Sequence, residues 1–196
     1  MRRLLALLLL LLAATPVARA AELSPRQRAL LLLRVLVYDR ALLQRAGGSV
    51  VVGVVFSPDG DPAEHEALLA TFEELSRTVK AAGLPVLAVA MPYLGPSAFA
   101  GQLAKVRPVA VYACAGLGAA APEVAAAAHK ARVLTVGGER RLVVGSGFAV
   151  ALIDRGDRAG LVIDPQAAAA AGADFDSALL SIADLVKGKD PKENRQ

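Results

Sequence analysis

The sequence predicts an α/β fold: a single-domain, three-layer sandwich whose sheet is mostly parallel, with an antiparallel C-terminal hairpin at one edge. Three observations predict it. Apolar runs of strand character alternate with helical periods through four successive units, as in a parallel sheet covered by helices on both faces. Residues 49–56 (SVVVGVVF) form a continuous β-branched run, which suits a central strand buried on both sides. Residues 148–153 and 161–163 are apolar runs flanking a short polar segment that contains glycine, the sequence form of a hairpin.

The chain has 196 residues, enough to bury a core as one domain. Its formal charge is +4, but Arg2, Arg3 and Arg19 lie in a leader expected to be removed. Taking those three from the 22 basic residues leaves 19 against 18 acidic ones. The charges are interspersed, so no clustered basic face for phosphate is foreseen. Aromatic residues make up only 4% of the chain and Trp is absent, which also excludes stacking platforms for bases. Nucleic acid is therefore not expected as a partner.

Residues 1–20 have a two-Arg start, an apolar stretch from Leu4 to Ala14 and the small-residue pattern Ala18-Arg19-Ala20. These are the parts of a secretory signal peptide, with cleavage expected after Ala20 and export of the mature chain. No later apolar run reaches the ~20 residues a membrane helix needs, so the mature protein is not expected to span a membrane. The folded domain is assigned to residues 21–187, and 188–196 (GKDPKENRQ) to a polar tail.

Ser24 and Pro25 provide an N-cap and an N1 proline, and Gly47 an ending glycine, for one long helix apolar over most of its circumference. It packs either wholly inside the domain or with one side against a second subunit; Leu33, Leu36 and Val37 are the candidates for a dimer seam. After the strand at 49–56, Asp61, Pro62 and Glu64 stand as N-cap, N1 and N3 of a helix carrying Leu68, Phe72, Leu75 and Val79 on one face. Residues 85–90, 109–113 and 133–136 read as strands, with helices at 96–106 and from Pro122 to about Ala131 between them. A Gly-Gly turn and the hairpin follow. Asp164 caps a helix opened by Pro165, and Phe175, Leu179, Ile182 and Val186 fall on one stripe of a closing helix.

Taken in order, the leader, LRVLVYDRAL, VVVGVVF, VAVYA, VLTV, the GSGFAVALID/LVID hairpin and ALLSIADLV resemble the YfiR family over about residues 28–186. The resemblance implies a small periplasmic α/β protein; the best-known member is a dimeric repressor acting on the periplasmic domain of an inner-membrane diguanylate cyclase. Two departures stand out. Asp164 occupies a position where the family usually has Asn, and a basic residue usual near Ser181 is missing. The named repressor is also tied to disulfide chemistry, whereas Cys114 is the only cysteine here, so an intrachain disulfide is impossible.

The remaining motifs read as structure first. Cys114 in YACAGLG is either a thiol that pairs or reacts or, more simply, a small hydrophobe at a buried strand end. The loop at 115–118 precedes a helix and its free N–H groups suit an anion, although as a nucleotide fingerprint it lacks a third glycine and a ribose-binding acid. His65 belongs to a solvated helix start and His129 to a helix end that favours a cation; neither has ligand spacing around it, so no metal is expected. Gly145-Ser146-Gly147 is no nucleophile elbow, and Arg155-Gly156-Asp157 is a hairpin tip.

The reading that follows is a non-enzymatic exported regulator without cofactor, working by protein contact as a homodimer, with an inner-membrane signalling protein as partner. Its ligand or partner loops would lie at the carboxyl ends of the strands and include Ser57, Asp59, Tyr93, Gly116 and Gly118. The alternative is a periplasmic small-molecule-binding protein using the same loops.

Overall fold

The computed structural model describes residues 22–156 and 158–186. Residues 1–21, Asp157 and residues 187–196, which include the expected leader and tail, lie outside the described residues. The first half of the chain forms α1 (Pro25–Val37), α2 (Leu42–Ala46), β1 (Val50–Phe56), α3 (Pro62–Ser76), β2 (Lys80–Ala81) and β3 (Leu84–Pro92). Next come α4 (Pro96–Val106), β4 (Ala110–Ala113), α5 (Ala121–Lys130), β5 (Leu134–Gly137) and α6 (Arg140–Ser146). The chain closes with β6 (Val150–Asp154), β7 (Ala159–Ile163), α7 (Pro165–Ala170), α8 (Ser177–Ile182) and β8 (Asp184–Leu185).

All eight strands share one sheet in the order β2-β3-β1-β4-β5-β6-β7-β8. Strands β3, β1, β4, β5 and β6 are parallel; β7 returns antiparallel to β6, with Leu152 opposite Leu161. The α/β class, the mostly parallel sheet and the C-terminal hairpin are thus as the sequence predicts. Helices cover both faces, giving two cores. On one face Leu32 and Leu36 of α1 pack with Leu68 and Phe72 of α3. On the other, Phe99 and Leu103 of α4, Val124 of α5 and Val143 of α6 pack together. The central strand serves both: Val52 and Val54 face the first core and Val55 the second, the period-2 alternation of a strand buried on both sides.

Several expectations need correction. The single N-terminal helix is two. Ser24 does cap it, in a reciprocal box with Gln27, but the chain breaks at Asp39. That buried carboxylate accepts N–H bonds from Ala41 at 3.0 Å and from Asp174 at 2.8 Å, and pairs with Arg45 at 2.5 Å. Helix interruption here is repaid by tying the N-terminal region to the C-terminal segment, where Asp39 and Phe175 also bridge backbone to backbone. Leu33 and Leu36 are only 4% and 0% exposed within the single chain, so they belong to the intrachain core and not to a dimer seam. Val37, 51% exposed, is the one of the three left at the surface.

Residues 140–146 form α6, a crossover helix that the sequence reading passes over as turn and strand approach. Gly137, the last residue of β5, leaves the space that the Leu142 side chain of α6 occupies. The closing helix is short. Phe175 and Leu179 are buried as the stripe requires, but Ile182 is 65% exposed and Ala183 is extended, sending the chain into β8 beside β7. The hairpin therefore lies one strand in from the edge. A two-residue strand, β2, forms the other edge.

Candidate functional site

From β1 the chain crosses outward to β3 and then returns to β4 on the other side of β1. The loops leaving β1 and β4 diverge at this switch point, and at the carboxyl ends of parallel strands that is where ligand crevices form. A cleft of about 390 Å³ opens there. It is lined by the loop after β4 (Cys114, Gly116, Gly118), the turn after β5 (Gly138, Glu139) and side chains of Arg28, Glu64 and Arg141.

The cleft is built around one ion pair. Glu64 sits in the first turn of α3, where Asp61 supplies the cap by accepting the Ala63 N–H at 2.9 Å. Freed from capping, Glu64 accepts the Ala115 N–H through Oε2 at 2.7 Å and pairs with Arg28 through Oε1. Arg28 also reaches Glu22 at 3.2 Å. The side chains of Arg28 and Glu64 are only 12% and 21% exposed, so the pair is largely withdrawn from water. It clamps the starts of α1 and α3 to the loop after β4. Beneath it lies Tyr112, whose buried hydroxyl has no hydrogen-bond partner among the described residues. Burial raises the Tyr112 phenol well above its ordinary range. A Cβ at Gly138 would come within 3.1 Å of that oxygen, so glycine keeps the wall of the cleft thin at this point.

Burial pushes the Cys114 thiol up to about 12, with the Glu64 charge adding to the effect and Arg28 opposing it. The thiol is therefore protonated and not a nucleophile at neutral pH. Glu139 is engaged by Arg141, with one bond of 3.0 Å, and Asp154 accepts the Gly156 N–H at 2.6 Å. No histidine lines the cleft, and no group of three or more His, Cys, Asp and Glu among the described residues is placed to hold a metal ion. The arrangement offers charged and backbone groups for recognition, without a nucleophile–base pair.

Of the sequence candidates, Gly116 and Gly118 line the cleft, at φ 88° and 49°. Ser57, Asp59 and Tyr93 do not. The Ser57 carbonyl closes a turn by accepting the Gly60 N–H at 3.0 Å. The Tyr93 hydroxyl bonds Glu123 and its ring lies 5.8 Å from that of Phe99; burial and Glu123 together push its phenol up to about 12. His65 stacks on Phe56 with ring centroids 3.7 Å apart. His129 also departs from expectation: burial lowers its pKa, outweighing the opposite pull of Asp164, so the helix end does not hold it as a cation. Arg28, Glu64, Glu139 and Arg141 line the cleft, and the sequence reading did not single them out for it. Glu64 carried a signal, as an acid at N3, but the same position is explained by capping.

Comparison with known proteins adds a likeness over part of the chain. The sequence from residue 100 to residue 184 matches the YfiR/HmsC-like family model. That segment is similar to the YfiR/HmsC-like family. This YfiR/HmsC-like segment runs from within α4 to the first residue of β8 and supplies the β4 and β5 walls of the cleft, whereas Arg28 and Glu64 come from the preceding part of the chain. No curated protein matches the chain by sequence.

Solved structures share the fold. A conserved domain protein from Vibrio cholerae O1 biovar El Tor is 18% identical with a TM-score of 0.55, over 85% of this chain and 62% of that one. The open, ligand-free substrate-binding protein CD0873 from Clostridium difficile is 12% identical with a TM-score of 0.53, over 76% and 58%. An ABC domain from Streptococcus pneumoniae, in complex with L-Trp, is 16% identical with a TM-score of 0.59, over 86% and 64%. The chain spans less than two thirds of the length of each. No helix of the described residues is long and apolar enough to cross a membrane.

Proposed function

We propose that the chain is an exported YfiR-like regulator that represses a membrane-bound signalling protein, such as a diguanylate cyclase, by contact with its periplasmic domain. The observation that carries this reading is the YfiR/HmsC-like match over residues 100–184; the leader at residues 1–20 supports export. The cleft at the β1/β4 switch point is the sensing site in this reading. A ligand drawn in between the loop after β4 and the Arg28–Glu64 pair would move α1 and α3 against the sheet and so alter the outer surface that a partner meets. Val37 remains the only named residue of the first helix available for contact with a second copy.

The test is capture of the tagged protein after crosslinking in native cell envelopes. Recovery of an inner-membrane protein with a periplasmic segment and a cytoplasmic diguanylate cyclase domain supports the reading; recovery of the protein alone contradicts it. A second reading, a periplasmic small-molecule-binding protein, is favoured by the cleft itself and by the likeness to substrate-binding folds. Ligand-induced stabilisation across a metabolite panel, with no membrane partner captured, would select it.

A further inference from the structure

A second and larger cavity, about 710 Å³, lies at the opposite, amino end of the sheet, where the C-terminal ends of α4, α5 and α7 meet. Its floor is apolar, with Leu103, Val109 and Ala127 among the lining groups, and its charged groups are Arg45, Arg107, Lys130 and Arg132. No carboxylate lines it. Arg45 is already committed to Asp39 and to the Val109 carbonyl, both at 2.5 Å. Arg107, Lys130 and Arg132 have no carboxylate partner among the described residues.

Helix dipoles account for part of this charge. Three helix C-termini carry about half a negative charge each, together about one and a half. Three uncommitted cations exceed that, so the cavity keeps a positive surplus. The backbone carries a second, independent signal. At the helix-to-strand junctions leading into β1 and β6 the left-handed residue is glycine, Gly47 and Gly147, at φ 59° and 76°, while the β2–β3 turn holds both Ala82 and Gly83 in this region, at φ 49° and 83°. At the junctions into β4 and β5 it is Arg107 and Arg132, at φ 50° and 57°. Glycine adopts this conformation without the Cβ clash that an arginine suffers. Of the four helix-to-strand junctions with a left-handed residue, the two that forgo glycine are the two whose side chains rim the cavity, and such strain concentrates where a side chain serves a ligand.

We propose that this groove binds an organic anion, a phosphate or carboxylate head on an apolar body, with Arg107, Lys130 and Arg132 holding the head and the Leu103–Val109–Ala127 floor covering the body. The volume suits a ligand of that kind, and arginine's planar fork suits either head group. The site is at the far end of the sheet from the switch-point cleft and does not depend on the function proposed for that cleft.

The test uses the protein as exported by its own leader, titrated by calorimetry with decyl phosphate below its micellar range, with decanol and with inorganic phosphate. Decyl phosphate is expected to bind about ten-fold or more tighter than decanol, and more weakly as salt is raised. The double variant Arg107→Gly/Arg132→Gly should lose that binding while unfolding at the same or a higher temperature, because glycine favours both backbone positions. Co-sedimentation then separates the sources of the head group. Retention on phosphatidylglycerol but not phosphatidylcholine vesicles, lost in the variant, assigns a membrane lipid; binding of free decyl phosphate without vesicle retention assigns a soluble amphiphile. Equal affinity for decanol and decyl phosphate, or unchanged binding by the variant, overturns the proposal.

Discussion

The two ends of the sheet are built on opposite electrostatic plans. The carboxyl-end cleft is lined by Glu22, Glu64, Glu139 and Asp154 against Arg28 and Arg141, and most of these charges are spent on one another or on backbone N–H groups. The amino-end groove gathers four cations and no acid, and three of them face solvent without a carboxylate. Part of the contrast follows from the fold. In a parallel sandwich the helix N-termini gather at one end and the C-termini at the other, so acids and bases segregate to offset the dipoles. What exceeds that offset is informative: paired charge at the carboxyl end holds elements together, and unpaired charge at the amino end is available to a ligand.

The comparison can be broken most severely at Asp39, which anchors Arg45 beside the groove. Its side chain is wholly buried and its carboxylate satisfies two N–H groups besides the arginine. Asp39→Ala is expected to lower unfolding free energy by about 3–5 kcal/mol in urea titrations, because it strands a part-buried cation and two donors. At the other end, Glu64→Ala should lower it by about 2–3 kcal/mol, less because water still reaches the pair. Glu64→Gln keeps an acceptor for the Ala115 N–H and should recover roughly half of that loss. Equal effects at the two ends would remove the distinction drawn between a core-tying and a cleft-lining ion pair.

A smaller effect comes from His129, in the last turn of α5 at the amino end of the sheet. Its folded-state pKa is lowered, so the unfolded chain takes up a proton first as pH falls. Stability carried by the neutral imidazole is complete above about 6.5 and declines below it until the folded pKa is reached. In His129→Gln that part of the acid loss should vanish, measured as a flatter dependence of the unfolding midpoint on pH below about 6.5. The smallest effect is expected for Val37→Asp. A half-exposed surface change should alter monomer stability by about 0.5 kcal/mol or less, so a fall in apparent mass by light scattering would assign this face to contact between copies.

Where chain neighbours decide structure, the sequence was a sufficient guide. Helix α4 occupies residues 96–106 as predicted, since Pro96 opens it and the left-handed Arg107 ends it. The β1 run, the capped α7 and the β6–β7 hairpin are equally local. Helix α6 was hidden because its Arg-Arg-Leu-Val-Val core is only two turns long and leads into glycines that resemble a turn. The last helix was overextended because its apolar stripe continues past Ile182 although the backbone does not. The cleft was half legible. Gly116 and Gly118 follow a strand and announce a loop, but the Arg28–Glu64 pair joins positions 36 residues apart. Nothing in either local context marks that contact, since each residue fits the solvated face or first turn of its own helix.

The most direct test of the functional account is the cellular level of cyclic di-GMP in the native host with and without this gene. The account predicts a rise on deletion, reversed by the whole chain but not by a form lacking residues 1–20, which would leave the regulator on the wrong side of the membrane. An unchanged level on deletion, or full reversal by the leaderless form, would contradict it.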